Sequence, residues 1–529
     1  MPEETKSFMK GAFILAAAAL FIKVLSAVYR VPFQNIVGDT GFYIYQQVYP
    51  FYGIAYVLAS TGFPVVISRV VAAKDHQNEK SVKSKLQAAF IVLLFVGLGL
   101  FSFFFFGGDF IARRMGDPFL GPVIRVIAFP FLLLPFLSVW RGVFQGNGNM
   151  LPTALSQVTE QVIRIGAILL LSFLLVKKGH SLYEVGRGAW AGAVAGSVAG
   201  TVLLAVFAGR NKKIYMGASS LSFHDLVAAG KWVLVHGTAI CFSGLLLILF
   251  QLVDSLTVFS LLVHSGLESG DAKVLKGIFD RGQPLIQLGT TVAGSISLAL
   301  VPAMTAAWSQ GNRELLQHKT DSAVKLSAVA GAGAAIGLMN IIVPTNTMLF
   351  KNQDGSLELA FLAASIFLAS MVITFSGIFQ GMGAALIPAK YLFVGIACKY
   401  ALNMGLVSQY GTLGAAVATN VGIGFIFFLL LKELKKRISV HAVLLRALPR
   451  LLIACTAMTA VLQAWLFLFH FAGLEGRFWS AVSALAGVAI GGLAYMAVLV
   501  YCNLFDREEL KHVPLYMKIW GKAERRRRK

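Results

Sequence analysis

RGVFQGNGNMLP, Arg141–Pro152, decides the fold because most of it returns as SGIFQGMGAALIP at Ser376–Pro388. Both copies read Gly-(Val/Ile)-Phe-Gln-Gly-x-Gly, and each closes a long apolar run. A second pair of segments has nearly the same separation. GFPVVISRVVAA carries Pro64 and LALVPAMTAAWS carries Pro302, each near the end of an apolar segment. An apolar chain that repeats itself over such a distance is the signature of a transporter made of two related helical bundles.

Composition sets the class. The chain has 529 residues, 57% of them hydrophobic and 13% charged, with a mean hydropathy of +0.74. A water-soluble globule carries roughly twice that share of charge, so an integral membrane protein is expected. Cys241, Cys398, Cys455 and Cys502 lie in or beside apolar runs without C-x-x-C spacing. Neither disulfides nor a metal site is indicated, and no cofactor is expected. The first apolar run lacks a small-residue cleavage site and reads as a retained span.

Runs of about 20 apolar residues suffice to cross roughly 30 Å of hydrocarbon. They fall at 8–29, 42–67, 86–107, 119–140, 153–176, 184–207, 226–263, 282–307, 322–344, 358–380, 384–407, 412–432, 447–470 and 478–502. The expected fold class is an all-α integral membrane protein of about fourteen transmembrane helices. The two Phe-Gln-Gly motifs end spans 4 and 10, and the two prolines end spans 2 and 8. Equivalent positions are thus six spans apart and share an orientation. Two six-helix lobes, 1–210 and 211–437, are therefore expected about an axis along the membrane normal. An extra helix pair at 438–505 and a basic tail at 506–529 complete the chain.

Lysine and arginine concentrate in SRVVAAKDHQNEKSVKSK (68–85), KELKKRISVHAVLLRALPR (432–450) and the terminal ERRRRK. This asymmetry places both termini on the cytoplasmic side of the membrane. The net charge of +22 is then a cytoplasmic-face feature suited to anionic lipid, with no call for nucleic acid.

Ionisable groups inside spans face a cavity or a partner; here they include Lys23, Glu160, Arg164, Asp254 and Lys399. Gln157, Glu160, Gln161 and Arg164 share one face of span 5. Two readings are open: a hydrated cleft holding sugar hydroxyls, or a Glu160–Arg164 pair that joins span 5 to a neighbour. Tyr45, Tyr49, Tyr52 and Tyr56 recur at helical spacing around Pro50. They suit either sugar stacking or an interfacial aromatic belt. No nucleophile–base set or acidic cluster suggests an enzyme.

Several stretches resemble the MurJ-like and stage V sporulation B-type polysaccharide flippases of the multidrug/oligosaccharidyl-lipid/polysaccharide exporter superfamily. They are VLSAVYRVPFQNIVGDTGFYIYQQVYPFY (24–52), STGFPVVISR (60–69), RGVFQGNG (141–148), FDRGQPLIQLGT (279–290) and SGIFQGMG (376–383). The resemblance implies a non-enzymatic flippase that moves an undecaprenyl-diphosphate-linked glycan, lipid II or a related precursor, to the outer leaflet. The partners implied are that lipid-linked oligosaccharide and anionic membrane lipids. A cation-coupled multidrug exporter on the same scaffold is the alternative.

The resemblance assigns Arg30 and Arg281 to the diphosphate, and a planar guanidinium fork suits phosphate oxygens. Snorkelling to the interface is the other reading for an arginine at a span end. The family's arginine in span 2 has no counterpart here, since Tyr52 and Gly53 stand in that region. Arg30, Arg281, Glu160, Arg164, Gln157 and Lys23 are thus the candidate cargo-binding residues. Asp254, Lys399 and Asn403 are candidates for energy coupling. The matching face in some relatives resembles a sodium site, and Lys399 stands where an ion would be.

Overall fold

The computed structural model describes residues 3–72, 79–210, 223–438 and 441–504, so the expected basic tail lies outside the described residues. Every regular element among them is helical. The first half runs α1 (Glu3–Val28), α2 (Arg30–Val57), a π-helical turn (Leu58–Gly62), α3 (Phe63–Ala72), α4 (Glu79–Arg114), α5 (Gly121–Gly146), α6 (Leu151–Lys177) and α7 (Leu182–Arg210). The second half runs α8 (Phe223–His264), α9 (Ser269–Asp280), α10 (Gly282–Gly289), α11 (Thr291–Ser309), α12 (Arg313–Asn340), α13 (Ile342–Phe350), α14 (Ser356–Gly381) and α15 (Leu386–Lys435). The chain closes with α16 (His441–Phe471) and α17 (Arg477–Tyr501).

Among the described residues twelve continuous stretches are long and apolar enough to cross a membrane. The two longest, Ala17–Ala72 and Leu386–Lys435, each fold back at a glycine. Gly38 has φ 68° and Gly411 φ 58°, left-handed values that glycine adopts without a Cβ penalty. Around Gly38 the Tyr29 hydroxyl lies 2.8 Å from that of Tyr45, and the Phe33 ring lies 4.7 Å from the Tyr45 ring. In a straight helix residues 29 and 45 would be about 24 Å apart. Around Gly411, Gly414 packs on the backbone of Leu406. The sequence-expected break between spans is thus a one-glycine turn inside a continuous apolar run.

The repeated motif builds the same cap twice. After α5, the amide of Asn149 donates to the Phe144 carbonyl at 3.0 Å and Gly148 to Gln145 at 3.0 Å. After α14, Ala384 donates to Phe379 at 2.8 Å and Gly383 to Gln380 at 3.0 Å. Gly148 (φ 77°) and Gly383 (φ 73°) supply the left-handed residue of this helix-ending motif. Gly142 and Gly146 lie against Ile67 and Val71 of α3, while Gly377 and Gly381 lie against Ser297 and Met304 of α11. Small residues four apart let helix backbones approach. Both motifs therefore sit at the end of the bundle away from Gly38.

Helix α8 lies between the halves. Its Ser255 carbonyl accepts from Gln47 at 3.1 Å, Phe259 packs 5.0 Å from Tyr43, and Asp254 faces α15. The α16–α17 pair joins the second half's core through Met458, Leu462, Tyr495 and Leu499. The Tyr495 hydroxyl donates to the Val329 carbonyl at 2.9 Å.

Candidate functional site

The tyrosine ladder of α2 is buried, not interfacial. Tyr45, Tyr49 and Tyr52 are 0%, 7% and 2% exposed, and Tyr45 stacks on Trp190 at 4.4 Å. Two arginines lie on these rings. The Arg30 guanidinium sits 4.2 Å from the centre of Tyr49, and that of Arg164 5.0 Å from Tyr52 and 5.6 Å from Tyr29. Both side chains are buried. None of the three Arg30 guanidinium nitrogens has a hydrogen-bond partner, nor has Arg164 Nε. Among the described residues neither arginine is ion-paired, although every other buried arginine is. Stacking on aromatic faces returns on the order of 2 kcal/mol per desolvated cation. An unpaired buried charge costs several.

The polar stripe on α6 is divided. Glu160 pairs with Arg141 at 2.7 Å and accepts from Ser197 at 3.0 Å, so the intrahelical Glu160–Arg164 pair does not form. Arg141 also donates to Ser156 at 3.1 Å and to the Ala59 carbonyl at 3.2 Å. Gln157 donates to the Ser60 carbonyl at 3.2 Å, and Gln161 donates to Ser26. Ala59 and Ser60 belong to the π-helical turn, whose wider spacing leaves carbonyls to be satisfied from outside. Gln157 and Glu160 therefore serve that turn, and the hydrated-cleft reading of the whole stripe is not what the structure holds. Only Arg164 is left without a partner acid. Arg141 opens the motif that decides the fold, yet its i-to-i+19 reach to Glu160 has no helical period to betray it.

Arg281 is fully engaged. Its Nε and Nη2 grip Asp39 at 2.6–2.9 Å, while Nη1 donates to Asn346 at 3.2 Å and Asn352 at 2.6 Å. Lys273, two turns earlier, lies 3.7 Å from Asp117, which also accepts from Tyr43 at 3.2 Å and Tyr183 at 2.6 Å. Between them Gly277 packs directly on the Asp39 backbone. The α9 segment thus joins the first half by two ion pairs whose acids come from one half and bases from the other. Sequence reading missed α9, Asp39 and Asp117. The amphipathic spacing of Lys273, Lys276 and Asp280 was the available signal, and Lys276 and Asp280 pair at 2.6 Å. Lys23 remains accessible, with Nζ against Gly294 of α11.

In the second half, Lys399 Nζ lies 2.6 Å from Asp254 Oδ2 and 2.9 Å from the Thr419 hydroxyl. Asn403 donates to Asp254 Oδ1 at 3.2 Å and to Thr257 at 2.9 Å. All three of Asp254, Lys399 and Asn403 are fully buried. Among the described residues no group of three or more His, Cys, Asp or Glu could hold a metal ion.

Beside Arg30, an apolar cleft separates α1 and α2 from α10. Val28, Val31 and Pro32 line one wall, Pro284, Leu285 and Leu288 the other.

The family model described as polysaccharide biosynthesis protein matches residues 8–308. The Bacillus subtilis (strain 168) membrane protein YabM is 41% identical over 98% of this chain and 97% of its own. The lipid II flippase MurJ of the same strain is 24% identical over 94% and 95%. A solved structure of lipid II flippase MurJ in an inward closed conformation superposes with a TM-score of 0.68 at 14% identity, covering 92% of this chain and 98% of that one.

Proposed function

The chain belongs to the polysaccharide biosynthesis protein family, and from that premise we propose that it flips an undecaprenyl-diphosphate-linked glycan, lipid II or a related precursor, to the outer leaflet by alternating access. It is a multi-pass membrane protein with the fold of flippases and transporters. The observation that carries the proposal is the pair Arg30 and Arg164, two buried guanidiniums with no acid to meet them among the described residues. Burying unmatched cations in a membrane protein is costly and is retained where an anion must bind. A diphosphate diester carries two negative charges, one for each arginine. The tyrosine rings around them suit the adjoining sugar. The apolar cleft between α1 and α10 gives the prenyl chain a route that keeps it in lipid while the head group crosses.

The lobes are residues 1–210 and 211–437, with 438–505 as an added pair. On the lysine and arginine count the Gly38 end faces outward and both termini inward. Salt-bridge closure at the Gly38 end then corresponds to a carrier shut toward the outside. Lys399 takes the place of a coupling ion beside Asp254, so transport is independent of sodium. A cation exporter needs an unmatched buried acid; here Glu160, Asp254 and Asp280 each have a basic partner.

The test is reconstitution with a fluorescent undecaprenyl-diphosphate glycan. Arg30→Ala and Arg164→Ala should each abolish flipping with folding intact, and Lys at either position should restore only part of it. Full activity of both alanine variants overturns the proposal.

A further inference from the structure

We infer that Asp39 is an internal competitor for the cargo's phosphate at Arg281: its carboxylate fills the arginine's fork and locks the two halves together, and the phosphate takes its place when they part. The inference rests on the anionic cargo proposed above and adds to it the acid that competes for Arg281 and a reason for the lock to open.

The acceptors around Arg281 divide by origin. Asn346 and Asn352 follow it in the same half, and Asn346 is itself fixed by donating to the Asp354 carbonyl at 2.8 Å and to Ser356 at 3.0 Å. They hold Nη1 wherever that half moves. Asp39 alone comes from the other half, carried in the Gly38 turn and steadied by Gln34 at 2.9 Å. If the halves separate, the guanidinium keeps its orientation while its Nε–Nη2 edge is emptied. That edge presents two parallel N–H donors, the geometry that carboxylate and phosphate share. A buried guanidinium left without an anion is strongly unfavourable, so opening requires a replacement.

The cargo is placed to be that replacement. Arg30 lies in the chain between Val28 and Val31, which line one wall of the apolar cleft, and Arg281 lies three residues before Pro284, which lines the other, although neither guanidinium is itself in the lining. Both arginines thus belong to the helices whose apolar residues face each other across that cleft, one in each half. Exposure fixes the order of events. The Asp39 side chain is 16% accessible and that of Arg281 0%, so an anion reaches the fork by displacing Asp39 and not by joining it. The second pair, Lys273–Asp117, is looser at 3.7 Å, and the other polar ties across the halves, Asn35 to the Leu349 carbonyl and Gln47 to the Ser255 carbonyl, are hydrogen bonds of neutral amides.

The experiment uses the full chain in nanodiscs, titrated with undecaprenyl diphosphate and read by thermophoresis. Asp39→Asn removes the competing charge at constant size and should tighten binding by at least about tenfold. Adding Arg281→Gln should erase the gain. Gln34→Leu removes only the hydrogen bond that steadies Asp39, and should give a smaller gain of the same sign if Asp39→Asn does not fold. Asp39→Glu, which keeps the carboxylate, should give none. Unchanged or weaker binding in folded Asp39→Asn, with the unaltered protein still binding, overturns the inference and leaves the cargo reading standing. No binding by either protein sinks the cargo reading and the inference with it.

Discussion

Replacing Lys399 by Met tests whether the Asp254–Lys399 pair is one unit. The substitution keeps the length of the side chain, removes the ammonium and leaves the Asp254 carboxylate with only the Asn403 amide at 3.2 Å. Breaking a buried pair from one side costs about 3–5 kcal/mol because the survivor is an uncompensated charge. Asp254→Asn alone should cost a comparable amount, since Lys399 keeps only Thr419 at 2.9 Å. In the double variant both charges are gone, and neutral replacement of a buried pair is often close to neutral. The two single losses should therefore fail to add, by on the order of 3 kcal/mol. Unfolding of the purified variants in detergent measures this, and proteoliposome flipping measures the consequence. Each single variant should be inactive, the double partly active, and the unaltered protein indifferent to replacement of sodium by choline. Additive losses, or sodium-stimulated transport, would refute the reasoning.

Arg141→Ala should lower stability by about 3–5 kcal/mol, since it strands Glu160 and frees the Ala59 carbonyl together; unfolding of that variant beside Glu160→Gln checks it, the second being milder because it leaves a neutral amide. Gly381→Val places a branched side chain on Met304 and Val301 and should cost about 1–3 kcal/mol, read as a lower unfolding midpoint, with Gly146→Val behaving alike against Val71.

The repeat was the most legible feature because it is made of backbone requirements. A left-handed glycine after the helix and small residues at the helix contact must be written in the sequence, and the same cap appears at Asn149 and Ala384. Span positions were legible from hydropathy. The breaks at 30–41 and 408–411 fall where Gly38 and Gly411 turn the chain, although hydropathy alone runs through both turns because neither carries a polar loop. Lys399, Asn403 and Asp254 were singled out because burial of charge in an apolar run is visible one residue at a time. Partners were harder to read. The resemblance gives Arg281 to a phosphate and leaves unseen the Asp39 that fills its fork, and helical spacing offers Arg164 to Glu160 whereas Arg141 reaches it from another helix. Pairing across helices depends on rotation about each helix axis, which no single-span periodicity specifies. The break of span 8 into α10 and α11 was hidden because both read as one apolar run, and α9 because it reads as the charged preface to that run.

The charges of the core sort themselves by whether they move with their partners. Lys276–Asp280 and Lys399–Asp254 lie within the second half, and Arg141–Glu160 within the first. These pairs travel intact through any rocking of the halves, so they contribute to stability without favouring one state. Arg281–Asp39 joins the halves and favours the closed contact alone. Arg30 and Arg164 belong to the first half and, among the described residues, have no acid partner. A ligand shifts an equilibrium between states only through interactions that differ between them. The unmatched arginines supply affinity for an anion, and the shared pair supplies the difference between states. On the proposed function, cargo bound at the first and exchanged at the second couples binding to opening. Neither set could do this alone, because affinity without a state-dependent contact leaves the carrier occupied and still.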